Sequence, residues 1–170
     1  MSNQLHYHII DNFFGNQIHA LLPYLKAQMH FSVNDHPDPA GQWPGERGSD
    51  IFEHNPPLAC LFTRCMGEHM PVLNEGCMIR LYTHFRYNDS PDWIHRDSNK
   101  VTAIVYLSET NLDSGTCFYD AEKDGNLMLE VPFVQNRAII FHGDVWHTSK
   151  LNYGTTSDDA RFTMKFLFDV

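Results

Sequence analysis

Three side chains in the sequence have the types and the spacing that bind a metal ion. His95 and Asp97 are separated by one residue, so in an extended segment both side chains leave the same face of the backbone. His147 follows Asp97 by 50 residues, in a strand-like segment after the turn at Gly143 and Asp144. Two histidines and one carboxylate on one side of an iron ion leave its other positions open for further ligands. The sequence therefore predicts a metal site at His95, Asp97 and His147 that has room for a cosubstrate and O₂.

The segment that carries these residues has the sequence pattern of a β-domain. From residue 77 onward, short runs rich in β-branched and aromatic residues are separated by turn signals, with no helical pattern between them. This pattern predicts an all-β sandwich or barrel behind two N-terminal helices. The seven predicted strands are 77–87, 101–108, 116–119, 127–134, 137–142, 145–149 and 161–168.

The N-terminal part is predicted to contain a strand at 5–10 and two helices. The first helix covers 17–29, with Pro23 expected to kink it or to delay its start. The second is capped by Asn55, begins with Pro56 and Pro57, and ends at Gly67 and Pro71. The intervening segment 31–54 is rich in Pro and Gly and contains Trp43, and it is either a surface connection or a lid over a site.

Composition limits the classes of partner. The chain has 170 residues and a formal net charge of −9, without a Lys- or Arg-rich run, which disfavours nucleic acid and favours a basic or neutral partner. We expect one domain, 1–170, formed by N-terminal helices with a lid-like loop (1–76) and a β-core (77–170). No apolar stretch is long enough for a membrane span, and the start lacks a signal-peptide pattern. Four cysteines without a C-x-x-C pair indicate reduced thiols and a cytoplasmic location.

The order of these motifs resembles a known family. The runs RYNDSPDWIHRDSNKVTAIVYLSE, SGTCFYD, RAIIFHGDVWHTS and RFTMKFLF are similar to those of the Fe(II)/2-oxoglutarate-dependent dioxygenases, and most closely to their prolyl-4-hydroxylase-like branch. The resemblance covers about residues 80–168. It implies a double-stranded β-helix, or jelly roll, with the N-terminal helices packed on one side. Ser114 stands where the family often has the first glycine of a Gly-Gly pair.

The resemblance also implies a cosubstrate site. In the family, a basic residue on the final strand pairs with the distal carboxylate of 2-oxoglutarate, and Arg161 holds that position, where its planar fork suits a carboxylate. Thr163 lies two residues on and faces the same way. Tyr106 and Tyr87 match the family's tyrosine positions, with Tyr82 as the fallback. Further residues that border the cleft in the family are Arg80, Arg86 and Trp93.

The activity implied is hydroxylation of a small-molecule, peptidyl or amino-acid-like substrate, with release of succinate and CO₂. The cofactor is Fe(II), the cosubstrates are 2-oxoglutarate and O₂, and ascorbate is a further candidate. Two alternatives stay open. One is a cupin-type metalloenzyme, although cupins favour an H-x-H pair followed by Glu. The other is a catalytically silent jelly-roll binding protein. Such a protein would have no physical use for His95, Asp97, His147 and Arg161 in this order.

Overall fold

The computed structural model describes residues 7–35, 43–70 and 78–169, with the backbone alone at Met78 and Ile79. Its helices are α1 (Ile18–Lys26), α2 (Ile51–His54) and α3 (Pro56–His69), with a 3-10 turn at Gly15–Gln17 before α1. The strands are β1 (Tyr7–Ile10), β2 (His30–Phe31), β3 (Glu46–Gly48), β4 (Met78–Arg86), β5 (Val101–Tyr106), β6 (Asn111–Tyr119), β7 (Leu127–Phe133), β8 (Ala138–His142), β9 (Trp146–Ser149) and β10 (Arg161–Phe168).

Two antiparallel sheets form the β-core. The larger sheet has the strand order β1-β8-β5-β10-β4-β3-β2, and the smaller one has the order β7-β6-β9. A cluster of buried side chains from β5 and β8 on one side and from β6 and β7 on the other joins the sheets face to face. The fold is therefore mainly β and a jelly roll, as expected from the sequence.

The larger sheet has two different faces because side chains alternate along each strand. On β10, Phe162, Met164, Phe166 and Phe168 are buried in the core that also contains residues of α1 and α3. The helices thus cover the outer face of this sheet. The intervening positions of β10 point into the space between the two sheets.

All seven predicted strands are present; the last, 161–168, has its predicted ends, and the others differ at one or both ends. The largest shift is in β6, which starts at Asn111 rather than at 116, so the predicted separator NLDSG belongs to the strand. Pro23 does not delay the start of the first helix, since α1 begins at Ile18 and runs through Pro23, with Ile18 and Leu25 buried. Met29, the last residue of the predicted helix, lies beyond α1 and is 72% exposed.

Helix α3 begins as predicted and ends later. The Asn55 side chain accepts a hydrogen bond from the Leu58 amide at 3.2 Å, which caps the helix, and two prolines occupy its first turn. Gly67 does not stop the helix, which continues to His69, because Gly67 is itself buried against the core. The other predicted stop, Pro71, lies outside the described residues, as do the predicted strand starts at 5–6 and 77.

The segment predicted as a connection or a lid has secondary structure of its own. In its described parts, 31–35 and 43–54, it carries the end of β2, the strand β3 and the helix α2. β3 pairs with β4, with Glu46 opposite Phe85 and Arg47 opposite His84. Trp43 is 5% exposed. This segment therefore extends the larger sheet beside β4, while residues 36–42 of the expected lid lie outside the described part.

Two contacts fix the segment 43–48 against β4. Gly45 has a φ of +77°, and a Cβ there would lie 2.1 Å from the carbonyl oxygen of Phe85. The Nε2 atom of His84 donates a hydrogen bond to the carbonyl oxygen of Pro44 at 2.6 Å. The turn before β3 is thus pressed onto β4 at two consecutive residues.

Among the described helices, none combines the length and the apolar character needed to cross a bilayer. The thiols of Cys60, Cys65 and Cys117 are free. Cys77 lies outside the described residues.

Replacing Gly45 with Ala is expected to destabilise the protein more than a matched change at Gly15. Gly15 also has a positive φ, +53°, but no atom lies within 4 Å of its missing Cβ. Gly15→Ala therefore costs only the left-handed backbone term of about 1–2 kcal/mol, whereas Gly45→Ala adds the clash with Phe85. Urea unfolding of both variants measures the difference, and equal losses would show that the turn is not pressed onto β4.

The free energy of unfolding is expected to decrease as the pH is lowered below about 6.5, because of His84. Burial, assisted by Arg86 and Arg47, holds the pKa of this imidazole well below its usual range. The unfolded chain therefore binds a proton below pH 6.5 that the folded chain does not, and stability present above that pH is lost on acidification. One such group gives a slope of up to about 1.4 kcal/mol per pH unit. Urea unfolding at pH 7.5, 6.5 and 5.5 measures it.

His84→Gln keeps a side-chain N–H donor for Pro44 and removes the titrating group. We expect its stability to depend less steeply on pH, by up to about 1.4 kcal/mol per unit. His19→Gln, a change on the exposed side of α1, is the control and keeps the wild-type slope. An unchanged slope in His84→Gln would contradict the assignment.

Candidate metal centre

The two predicted histidines are brought together by the backbone. The His95 amide donates to the His147 carbonyl at 3.0 Å, and the His147 amide donates to the His95 carbonyl at 2.9 Å. This isolated antiparallel bridge attaches the segment before β5 to β9. Residues paired in this way project their side chains from the same face, and the ring centroids are 4.4 Å apart. Asp97, two residues after His95, projects from that face as well.

A second contact fixes Asp97. Its amide donates to the carbonyl of Gly143 at 2.8 Å, and the Gly143 amide donates to the carbonyl of Lys100 at 2.9 Å. A Cβ on Gly143 would lie 1.9 Å from the carbonyl oxygen of Asn99. Only glycine therefore allows the turn before β9 to approach the segment 97–100 so closely.

The side chains of His95, Asp97 and His147 converge. Each offers one ligand atom, and these atoms all lie within 4.8 Å of one another. The Nε2 atom of His147 is 3.6 Å from Asp97 Oδ2, and that of His95 is 3.9 Å from Asp97 Oδ1. The structure thus brings together the three residues that the sequence predicts as a metal site.

The imidazoles are oriented as metal ligands usually are. His147 Nδ1 donates to the Val145 carbonyl at 2.9 Å, and His95 Nδ1 donates to the Trp93 carbonyl at 3.1 Å. Both rings thus turn Nε2 toward Asp97, and His147 Nε2 is buried without a hydrogen-bond partner. A second ring nitrogen bound to a carbonyl is the arrangement that fixes the tautomer of a metal-binding histidine. The residues present fit a divalent cation.

Electrostatics keeps the three groups in their metal-binding forms. Burial lowers the pKa of His147 to about 3, and burial also lowers the pKa of His95. Burial raises the pKa of Asp97, but Lys165 and His147 outweigh it, with hydrogen bonds from Lys165 and Thr102, and hold that pKa well below its usual range. At neutral pH the site therefore has two neutral imidazoles and one carboxylate, so its histidine–aspartate contacts are not ion pairs.

Lys165 is a site residue that the sequence analysis missed. Its ammonium group donates to Asp97 Oδ1 at 2.7 Å, and Thr102 Oγ1 donates to Asp97 Oδ2 at 2.7 Å. Lys165 lies two residues beyond Thr163 on the same face of β10. The alternation that places Arg161 and Thr163 on one face of β10 also places Lys165 there, and this pattern could have identified it.

The three groups open into a cavity of about 450 Å³ between the sheets, a volume within the range of small-molecule sites. The strand β10 contributes Arg161, Thr163, Lys165 and Leu167, and β4 contributes Arg80, Tyr82, His84 and Arg86. Trp93 and Arg96 come from the segment that carries His95. Alternate positions of two neighbouring strands thus form one wall of the cavity, and most of their side chains are polar.

Arg161 is buried in this cavity with few partners. It is 4% exposed, and its guanidinium carbon lies 5.8 Å and 5.5 Å from the ring centroids of Tyr106 and Phe133. One weak bond at 3.4 Å joins it to the Gly115 carbonyl, and its Nε atom has no partner. Burial lowers its pKa. Within the described residues no carboxylate forms an ion pair with Arg161, which is unusual for a buried cation.

The remaining predicted residues are placed differently. Thr163 lines the cavity, and its hydroxyl donates at 3.4 Å to the carbonyl of His84. Tyr106 lies under Arg161 and donates to Thr116 Oγ1 at 2.7 Å, while burial raises its pKa to about 12. Its hydroxyl is therefore a protonated donor directed into the protein.

Tyr87 does not reach the cavity, which corrects the sequence prediction. Its hydroxyl donates to Glu46 Oε2 at 2.9 Å, and its ring stacks on Phe85 at 6.5 Å. The reason is the pleat of the chain, because Arg86 faces the cavity and its neighbour must take the opposite side. Tyr82, the fallback, lies on the same face of β4 as Arg86 and lines the cavity.

No protein-family model matches the sequence, and no curated protein matches it. Solved structures share the fold at low identity. The non-haem α-ketoglutarate-dependent epimerase SnoN from nogalamycin biosynthesis has a TM-score of 0.69 at 13% identity, covering 96% of this chain and 78% of that chain. HygX from Streptomyces hygroscopicus, with nickel and 2-oxoglutarate bound, gives 0.65 at 14% identity, covering 98% and 84%.

A prolyl-4-hydroxylase from Pseudomonas putida gives a TM-score of 0.63 at 15% identity, covering 98% of this chain and 93% of that chain. At these identities a structural likeness concerns the arrangement of the chain. The protein has the jelly-roll fold of the 2-oxoglutarate- and Fe(II)-dependent oxygenases.

Proposed function

We propose that the protein is an Fe(II)- and 2-oxoglutarate-dependent oxygenase in which His95, Asp97 and His147 hold the metal. The observation that carries the proposal is the presence, in one cavity, of two neutral imidazoles with an ionised carboxylate and of a buried Arg161 without an acidic partner among the described residues. The first group suits a divalent iron with open positions. The second suits one end of a dicarboxylate.

Arg161 is proposed to bind the distal carboxylate of 2-oxoglutarate. A guanidinium can bind a carboxylate through two parallel hydrogen bonds, and its burial strengthens them. On β10, Arg161 and Lys165 are four residues apart, about 13 Å between their Cα atoms at the usual rise of a strand. Since Lys165 contacts Asp97, the side chain of Arg161 enters the same cavity farther along, and Thr163 stands between them. A short dicarboxylate fits between the two positions.

The chain's own residues have defined tasks in this reaction. Lys165 and Thr102 hydrogen-bond to Asp97 and keep it ionised, yet each carboxylate oxygen retains a lone pair for the metal. The carbonyls of Val145 and Trp93 hold the Nδ1 protons, so both Nε2 atoms are free to bind. The burial of His147 limits access of water to the metal.

Iron held by His95, Asp97 and His147 would allow O₂ to be reduced with 2-oxoglutarate as cosubstrate: one oxygen atom would enter succinate as CO₂ leaves, and the other would be inserted into a C–H bond of the substrate. The neighbours support this assignment, since HygX is described with nickel and 2-oxoglutarate bound and SnoN as α-ketoglutarate dependent. The peptidyl or amino-acid-like substrate, the use of ascorbate and the cytoplasmic location stay predictions.

Arg161→Met is expected to weaken 2-oxoglutarate binding by about 10- to 100-fold, because a charge-assisted pair is lost. Mn(II) binding is expected to stay at the wild-type level, since Arg161 does not contact the three ligand residues. Anaerobic titration calorimetry measures both, with Mn(II) in place of iron to prevent turnover. Arg64→Met, which removes an exposed arginine of α3, is the control.

Two results would contradict this role. Wild-type affinity for 2-oxoglutarate in Arg161→Met would mean that the cosubstrate is held elsewhere. Loss of Mn(II) binding in that variant would mean that Arg161 supports the metal centre. Wild-type protein that binds Mn(II) but never 2-oxoglutarate would favour the cupin-type or the silent binding protein over the oxygenase.

A further inference from the structure

The cavity has a charge opposite to that of the chain. The protein has a formal net charge of −9 with 12 Lys and Arg residues in total, yet half of those cations line this one cavity. Among the described lining residues, Asp97 is the only acid. The other acidic residues of the described segments lie outside this lining. The cations of the lining are Arg47, Arg80, Arg86, Arg96, Arg161 and Lys165.

Several of these cations already have a task. Lys165 pairs with Asp97, and Arg86 pairs with Asp92 and donates to Ser149 Oγ at 2.7 Å. Arg96 is exposed and stacks over the Trp146 ring at 4.2 Å. Arg161 is assigned above to the distal carboxylate of 2-oxoglutarate. Arg47, a half-buried cation of the lining, has none of these partners and needs its own explanation.

Arg47 is that cation. Its guanidinium carbon lies 3.8 Å from the ring centroid of Trp43 and 4.1 Å from that of Tyr82. Both rings are buried, at 5% and 4% exposure. The Nε atom of Arg47 is buried without a hydrogen-bond partner, and no described carboxylate forms an ion pair with it. Two aromatic rings hold the cation in place, while no carboxylate of the described segments neutralises its charge.

The acid nearest in sequence does not neutralise Arg47. Glu46 precedes Arg47 on β3, so its side chain lies on the other face of the strand. Its carboxylate accepts the hydrogen bond from Tyr87 on the side away from the cavity. The segment that carries Arg47 is fixed to β4 by the close approach of Gly45 and by the bond from His84 to Pro44. Arg47 is therefore presented to the cavity in one position, before any ligand arrives.

We propose that Arg47 binds an anionic group, a carboxylate or a phosphate, of the primary substrate. The inference rests on the proposed function, because it assigns the substrate end of the same cavity in which Arg161 takes the cosubstrate. It reverses the expectation of a basic or neutral partner, which came from the net charge of the whole chain. The substrate class is an acidic small molecule or an acidic side chain of a peptide.

The test uses the protein loaded with Mn(II) and saturated with 2-oxoglutarate, so that Arg161 is occupied. Calorimetry compares O-phospho-L-serine with L-serine, and N-acetyl-L-aspartate with N-acetyl-L-asparagine. We expect at least one anion to bind about tenfold or more tightly than its neutral counterpart. The pair that shows the preference tells phosphate from carboxylate. Absence of any preference would overturn the inference.

Arg47→Met is expected to lose the preference and to keep the wild-type affinity for 2-oxoglutarate. Arg64→Met keeps both. If Arg47→Met does not fold, Arg47→Lys, which retains the charge, is expected to keep most of the preference and is judged by its melting temperature. Retention of the full preference in a folded Arg47→Met would assign the anion to another residue.

The outcomes separate this inference from the proposal on which it rests. Wild-type protein that fails to bind 2-oxoglutarate contradicts the proposed function. Wild-type protein that binds 2-oxoglutarate without preferring either anion contradicts the role of Arg47 alone. An anion whose affinity falls as 2-oxoglutarate is raised is bound at Arg161, and that result also overturns the assignment to Arg47.

Discussion

The reciprocal pair of backbone hydrogen bonds between His95 and His147 is the interaction on which the site depends. This pair attaches the segment before β5, which forms no other β-bridge, to strand β9. It also sets the two imidazoles side by side. Asp97 then faces the same point because it is two residues on, and the turn at Gly143 holds its backbone. Two residues of one segment and a third that is 50 residues farther along the chain are thus brought together by four backbone hydrogen bonds. Their protonation states follow from burial and from Lys165.

The larger sheet makes a polar cavity compatible with a stable core. On β10, the residues that alternate with Arg161, Thr163 and Lys165 are apolar and pack under the helices. The same division holds on β4, where Leu81 and Phe85 are buried on the helix side. Each strand therefore buries apolar surface on one face while it carries cations on the other. The helices are needed for the site although none of their residues lines it, because they cover the face that stabilises these strands.

Sequence spacing was sufficient for some of the structure and insufficient for the rest. The strands of the β-core and the convergence of His95, Asp97 and His147 follow from alternation and spacing, and the position of Arg161 follows from the resemblance in motif order. Tyr87 was misplaced because a single position decides which face of β4 a residue takes. Arg47 escaped notice because its partners, Trp43 and Tyr82, are 39 residues apart in the sequence. They meet only through the pairing of a three-residue strand, β3, too short to be recognised by periodicity.

One spectrum tests whether His95, Asp97 and His147 hold iron to which 2-oxoglutarate binds directly. Anaerobic protein loaded with Fe(II) is titrated with 2-oxoglutarate while the visible absorption is recorded. We expect a weak metal-to-ligand charge-transfer band in the wild type that saturates with 2-oxoglutarate. The band should persist in His19→Ala and be absent in His147→Ala. A wild type without the band, or a His147→Ala variant that retains it, would show that these residues do not hold the iron.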